Sequence, residues 1–504
     1  LGIIPFSIPY GFSDAYLKAT RSVGALGSLT ISAYIDGESF RPQGKLEEDL
    51  SGEMNFNWGS RMLAASWRQP VGGNLLLEAR AAYSGFRGDF DASEYLGELE
   101  IVCDTTGCHE ISAPPDTVPN VDARTRIHDV LAAFDASWFR AEHTLRAGVQ
   151  FDGYVFDHEI ETFNEFDEDL ITPFAETSRP WTLAAYIEDE WSPSASLKLR
   201  GGLRLLEAGA YGPAWMPRLG VRWQATPSLA LSLGAGTYAQ VMRSMRNDES
   251  IASSFIAYDF LTAQPAEVGP ARAADIVTGA EWSTASTRLR VDAYARRFSN
   301  LIVPSQKADP IDAPMLITDE YDVATGSTLG LEIMASRRVG SATLGVSYAL
   351  TFAERAIRGE TFRPRFERRH LADASGTLPL GRSGVLSARL AFGTGQPYTP
   401  VLGVTPGVGF DPITGRWSTL RPTPVRGVHN GARLPGYFRL DVAARKSFDK
   451  HWFGQRGSLT PYIQILNVLN TRNALVAEVR GYDGELGYLP QLPFLPTFGV
   501  EWRF

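Results

Sequence analysis

TFGVEWRF (497–504) sets Phe498, Val500, Trp502 and Phe504 on one parity and Thr497, Gly499, Glu501 and Arg503 on the other. Successive side chains of a β-strand point to opposite faces, so this alternation is a strand with one apolar and one polar face. The period recurs upstream. In STRLRVDAYARRF (286–298), Leu289, Val291, Ala293 and Ala295 alternate with Arg288, Arg290, Asp292, Tyr294 and Arg296. TLAAYIEDEW (182–191) opposes Leu183, Ala185, Ile187 and Trp191 to Thr182, Tyr186, Glu188 and Glu190. YFRLDVAARKSF (437–448) opposes Phe438, Leu440, Val442, Ala444 and Phe448 to Tyr437, Arg439, Asp441 and Arg445. None has the spacing of an amphipathic helix.

Reading this pattern along the chain gives about nineteen strands, near 12–22, 25–36, 53–68, 73–86, 124–139, 142–157, 180–192, 195–207, 214–225, 228–242, 272–283, 286–300, 325–338, 341–353, 370–379, 383–396, 435–448, 457–468 and 494–504. Many run roughly 10–14 residues, longer than the globular mode and long enough to cross a hydrocarbon core when tilted. Connections alternate in length. Tight turns such as VGALG (23–27), QPVGGN (69–74), SPSA (192–195), TPS (226–228) and RVGS (338–341) take turns with long polar excursions near 87–123, 158–179, 243–271, 301–324, 354–369, 397–434 and 469–493. That asymmetry belongs to outer-membrane barrels, with short periplasmic turns and long external loops. The expected fold is therefore all-β, a transmembrane antiparallel β-barrel occupying residues 1–504.

Composition agrees with this class. The 504 residues carry a net charge of −9 and a pI of about 5.5, so no broad basic face exists to neutralise phosphates and nucleic acid is excluded as a partner. No run of about 18 apolar residues is present, which excludes a spanning helix and leaves a barrel open.

Energetics fixes the faces. Shifting 286–298 by one position would aim three arginines at the bilayer, at about 2–4 kcal/mol each near its midplane. The apolar parity faces lipid. Unpaired backbone groups in hydrocarbon cost several kcal/mol each, so the sheet must close. Phe498, Val500, Trp502 and Phe504 then form a lipid-facing stripe ending in the periplasmic aromatic girdle. Its terminal Phe resembles the signal by which the barrel assembly machinery recognises its substrates. Strand parity, counted back from a final strand descending to the periplasm, makes the first visible strand descend as well. A barrel whose N-terminus lies in the periplasm begins with an ascending strand, so an odd number of strands is expected ahead of residue 1. LGIIPFSIPYGF (1–12) has neither a Met start nor a secretory leader, so the chain is expected to be either processed or lacking its N-terminal part.

Nine segments resemble the barrel of TonB-dependent outer-membrane transporters, in that family's order: WTLAAYIEDEWSPSASLKLRGGLR (181–204), MPRLGVRWQATPSLALSLGAGTYAQ (216–240), LRVDAYARRFSNLIV (289–303), TLGLEIMASRRVGSATLGVSYALT (328–351), RPRFERRHLADASGTL (363–378), AFGTGQPYTP (391–400), LPGYFRLDVAARKSF (434–448), YIQILNVLNTRNAL (462–475) and LPTFGVEWRF (495–504). The resemblance implies a Gram-negative outer membrane and a 22-stranded barrel of which three strands are not in this chain. It also implies an N-terminal plug and TonB box, equally outside the sequence, and uptake of a scarce small molecule or metal chelate, most often a ferric siderophore, driven through the TonB complex. A plugless passive porin is the alternative. An outer-membrane enzyme or adhesin comes third.

Candidate sites are few. Cys103 and Cys108 in CDTTGC, with His109 the only adjacent soft ligand, do not make a four-ligand zinc site. A small external-loop disulfide fits them and implies an oxidising compartment; two unpaired thiols are the alternative. Inward Arg288, Arg290, Arg296, Arg439 and Arg445, with Glu188, Glu190, Asp292, Asp441 and Glu501, are expected to solvate the lumen or pair with a plug. DHEIETFNEFDEDL (157–170) carries clustered carboxylates that suit either a solvated surface or Ca²⁺, without a defined calcium-loop spacing. Tyr211, Trp215, Met216, Met242 and Met245 suit either contact with an apolar ligand or loop and girdle packing. Seven histidines, His109, His128, His143, His158 and His370 among them, accompany no H-E-x-x-H, G-x-S-x-G or phosphate-loop motif, so neither an enzyme nor a cofactor is indicated.

Overall fold

The computed structural model describes the backbone of residues 10–503 except 25, 42–51, 97–98, 105–106, 113–115, 165–168, 247–257, 306–320, 412–415, 453–454 and 481–484. Phe504 and parts of the acidic segment 157–170 thus lie outside the described residues.

Nineteen antiparallel strands form the wall. They are β1 (Tyr10–Val23), β2 (Gly27–Phe40), β3 (Gly52–Val71), β4 (Leu75–Leu96), β5 (Asp116–Arg140), β6 (His143–Asn164), β7 (Trp181–Ser194), β8 (Leu197–Glu207), β9 (Ala214–Thr226) and β10 (Leu229–Gln240). They continue as β11 (Ala271–Ser283), β12 (Thr287–Pro304), β13 (Tyr321–Val339), β14 (Ala342–Ile357), β15 (His370–Leu380), β16 (Gly384–Gly393), β17 (Tyr437–Lys446), β18 (Gln455–Leu466) and β19 (Leu495–Arg503). The sheet has 22 strand segments, but three of them add no position. Asp169–Ser178 continues β7 along β6, Glu360–Phe362 lies on the β15 side of β14, and Phe448–Trp452 continues β17 along β18. The strand reading is met at all nineteen positions.

Each strand pairs with its chain neighbours, the up-and-down order that alternating connections impose. Tight turns such as Gly72–Gly73, at φ of 61° and 77°, use the left-handed backbone that glycine adopts without a Cβ clash. At the other end the excursions are richer in strand than the sequence suggests. β3 to β6 run 20, 22, 25 and 22 residues, absorbing much of the stretches read as excursions near 87–123 and 158–179. Hairpins lie inside several connections: Leu99–Asp104 with Gly107–Ser112, Met242–Ser244 with Leu261–Ala263, Val401–Asp411 with Arg416–Arg426, and Ala474–Arg480 with Glu485–Pro490. In the first, the backbone register sets Cys103 opposite Cys108.

The apolar parity faces outward through the bilayer zone. Leu183, Ile187, Leu219, Leu233, Ile276, Leu329 and Ile463 are exposed there, and Phe498, at 86% the most open of the stripe, sits with Val500 and Trp502 on the final strand. Trp138, Trp191, Trp223, Trp282 and Trp502 stand near the tight turns on this face, a girdle at one interface. Among the described residues β1 pairs only with β2 and β19 only with β18, so a seam separates the wall's two ends. All 14 residues of β1 are exposed.

Candidate functional site

On the inner face, charges meet partners on the same or adjacent strands. Glu188 accepts from Arg146 at 3.3 Å and lies 3.0 Å from Arg200; Glu281 lies 3.0 Å from Arg288 and 4.0 Å from Arg222. Arg290 binds Asp292 at 2.6 Å, Arg296 lies 3.2 Å from Asp275, and Arg439 lies 2.7 Å from Asp441. Glu190 meets Lys198 at 3.6 Å, and Glu501 lies 2.5 Å from Arg503. Arg445 has no such partner among the described residues. Tyrosines lie over glycines on this face: a Cβ on Gly330 would come within 2.2 Å of the Tyr294 ring, which occupies that space. The inner wall is thus polar and largely self-paired.

Above the bilayer zone β3 to β6 reverse their alternation. β3 carries Leu63, Ala65 and Trp67 outward, then Phe56 and Trp58 inward; β4 carries Leu77, Ala79 and Ala81 outward, then Phe86 and Phe90 inward. The register lines up Phe40, Phe56, Phe90, Ala123, Ile160 and Phe174 across adjacent strands. Phe56 and Phe90 rings are 4.7 Å apart, and Phe40 and Phe56 rings 5.7 Å. This apolar plate is covered from within by Met245, Tyr258 and Phe260, forming one buried cluster.

The covering residues belong to the hairpin between β10 and β11, which turns into the mouth. Leu261 O accepts from His158 Nε2 at 2.7 Å, and His158 Nδ1 faces Thr125 Oγ1 at 3.2 Å. Thr262 bonds Glu176 at 2.5 Å and Ser178 at 3.1 Å. Phe260 packs edge-on to His158, ring centres 6.0 Å apart. His158 is 1% exposed, and burial pulls its pKa below the ordinary imidazole value, outweighing the hydrogen bond to Leu261 and the nearby Glu176, Asp157 and Asp259. The neutral ring uses one nitrogen as donor and the other as acceptor. Burial likewise pushes the Tyr258 hydroxyl pKa up, and that hydroxyl has no hydrogen-bond partner among the described residues. The hairpin thus packs an aromatic cover against the inner face of the upper wall.

The sequence candidates separate. Tyr211, Met216 and Met242 join one packed cluster with Ala184, Leu206 and Val241, Met245 joins the aromatic plate, and Trp215 faces outward at 58% exposure. Packing and girdle account for all five. Of the acidic stretch, Asp157 accepts from Thr177 at 2.9 Å and Glu159 lies 3.7 Å from Arg124. Among the described residues no group of three or more His, Cys, Asp and Glu could hold a metal. The aromatic plate escaped the sequence reading, although the parity reversal in MNFNWGSRMLAASW (54–67) marks it.

Residues 10–470 match the model of the family described as TonB dependent receptor-like, beta-barrel. No curated relative matches. Among solved structures, FpvA of P. aeruginosa bound to heterologous pyoverdines aligns with a TM-score of 0.64 at 12% identity, over 98% of this chain and 65% of that one. The ferric-catecholate import receptor Fiu of E. coli K12 gives 0.65 at 11% identity, over 98% and 75%. The copper transporter OprC gives 0.58 at 12%, over 99% and 81%. The chain therefore spans just under two thirds of the FpvA receptor it matches.

Proposed function

The chain belongs to the TonB-dependent receptor β-barrel family, and from that premise we propose that it is the wall of a receptor that imports a scarce nutrient across the Gram-negative outer membrane by an energised route. A ferric siderophore is the first substrate class to test, because FpvA and Fiu, both similar in fold, are named for such ligands; the likeness to OprC keeps metal ions in view. The match over residues 10–470 is the observation that carries the reading.

The seam bears on how such a receptor is completed. An edge strand in hydrocarbon leaves backbone donors and acceptors unpaired at several kcal/mol each, so β1 and β19 need partners. Three further strands would join them with alternating direction kept and give the 22-stranded wall of the resemblance. A lumen that wide is not filled by its own side chains. A plug domain would occupy it and receive the pull of the TonB complex, which supplies energy to a membrane that holds no ATP. The stripe Phe498, Val500, Trp502 would serve recognition by the barrel assembly machinery, and outer-membrane lipid would solvate the same face.

The self-paired inner wall favours one second reading, a passive channel, since charges already matched with each other need no plug to neutralise them. Uptake of labelled ferric siderophores by cells expressing the full gene separates the two. Energised import is abolished by collapsing the proton gradient or deleting TonB. Uptake unaffected by both, with open conductance in planar bilayers, would establish the channel.

A further inference from the structure

Outward residues near the upper rim of β9 to β14 form a concavity of about 650 Å³, and its lining includes Arg272 and Arg297. Both are exposed on the lipid-facing parity: Arg272 pairs in register with Ser299, and Arg297 with Ala274. Their height follows from the strand. Ten residues separate Arg272 from Trp282 of the lower girdle, which at about 3.3 Å per residue and a tilt near 40° is about 25 Å, the height of the apolar band. On the opposite side His128 lies ten residues from Trp138, close to where β3 to β6 reverse their alternation. Arg272 thus sits at the outer headgroup level, and Arg297 one turn of the alternation lower, within reach of it by extending its side chain upward.

Two features distinguish these arginines. Most inner-wall arginines named above have a carboxylate partner, whereas Arg272 and Arg297 have no ion pair or hydrogen bond among the described residues. They also share their hollow with hydroxyl donors, Thr237, Ser299 and Ser327, and with Trp215 at its edge. Glu354, two strands from Arg297, is the one carboxylate in the lining; it disfavours a phosphate near β14 and leaves the β11–β12 side as the anion end.

We propose that this lipid-facing hollow binds the phosphorylated sugar headgroup of an outer-leaflet lipid, its phosphate on Arg272 and Arg297 and its acyl chains descending over Ala274, Ile276 and Ala295. Guanidinium pairs hold phosphate through short charge-assisted bonds, hydroxyls suit sugar oxygens, and Trp215 suits the boundary between headgroup and chain. The inference needs only the outward wall, so it stands or falls separately from the uptake reading.

The test uses the full-length receptor purified in detergent, with native mass spectrometry reading retained lipid. The probes are a phosphorylated disaccharide lipid, its dephosphorylated form, and inorganic phosphate. The expected result is one retained phosphorylated lipid per chain, with weak retention of the dephosphorylated form and none of inorganic phosphate. Replacing both arginines (R272Q with R297Q) should weaken retention about 30-fold, as loss of charged hydrogen bonds implies, while the double lysine variant keeps part of it as point charges. R61Q, on the same face but bonded to Tyr83, should leave retention unchanged. Heat-modifiable migration verifies that each variant is folded. Equal retention of the dephosphorylated lipid, an equal loss in R61Q, retention unaltered in the folded double glutamine variant, or binding of inorganic phosphate alone would each overturn the proposal.

Discussion

The lower and upper parts of β3 to β6 are the same strands with opposite faces. Within the bilayer zone Leu63, Ala81, Phe134 and Phe151 look outward and polar residues inward. Above it Arg124, Arg126 and Asp89 lie on the outer face, Arg126 binding Asp89 at 2.7 Å, while Phe56, Phe90 and Ile160 look inward. Solvent decides both. Lipid outside and water inside require one alternation; water outside and a packed hairpin inside require its mirror. A strand can carry both because its period is two and one local change of residue order swaps the sets.

The largest effect that would break this comparison is expected in the upper core. Phe56 is 1% exposed, and Phe56→Ala should cost about 3–5 kcal/mol locally. Because that cluster holds the hairpin, the loss should appear as faster amide exchange at 258–264, with wall strands unchanged. Equal protection in variant and wild type would mean the plate does not anchor the hairpin. Next comes Leu233→Arg on the lipid face, expected to cost about 2–4 kcal/mol in unfolding from lipid vesicles. Ala175→Arg, outward on the upper wall, should stay within about 0.5 kcal/mol. Similar costs at both positions would erase the boundary.

The wall was legible because its rule is one-dimensional. Nineteen strands, the outward stripe ending in Phe498, Val500 and Trp502, and the alternation of turn lengths all follow from parity and turn chemistry. The sequence reads the upper region as polar excursion because DASEYLGELE (91–100) and DHEIET (157–162) are rich in carboxylates, although most of the described backbone there is strand. The aromatic plate had a signal, the parity reversal near Gly59 to Arg61, but its partner did not: nothing local in 242–263 says that Phe260 and Leu261 fold back against His158, more than 100 residues earlier. Likewise the lipid-side arginines stand out only when strands are set side by side. Sequence spacing reports faces; it does not report which distant loop covers them.

His158 sharpens the comparison through pH. Its folded pKa lies below the free value of about 6.5, so the docked hairpin binds fewer protons than the released one. Docking is therefore complete above that pH and weakens as pH falls through it toward the lowered folded value. Amide exchange at 258–264 should accelerate between pH 7.5 and 5 with the lower wall unaffected. His158→Gln should dock less well at pH 7.5 and respond little to acid; a full pH response in that variant would mean that His158 is not the group that carries it.

The smallest effects are expected where the charges are densest. Arg296 lies 3.2 Å from Asp275, with 44% of the Arg296 side chain exposed, and Arg290 with Asp292 is similarly wet. Exposed pairs contribute about 0–1 kcal/mol because water and salt screen them and ordering two side chains costs entropy. Arg296→Gln should thus change unfolding stability by less than about 1 kcal/mol, less still in 1 M salt. A loss above that bound, insensitive to salt, would mean that the pair is shielded from water in the assembled receptor. That outcome would favour a filled lumen over an open one, turning the weakest contact in the wall into a gauge of what lies inside it.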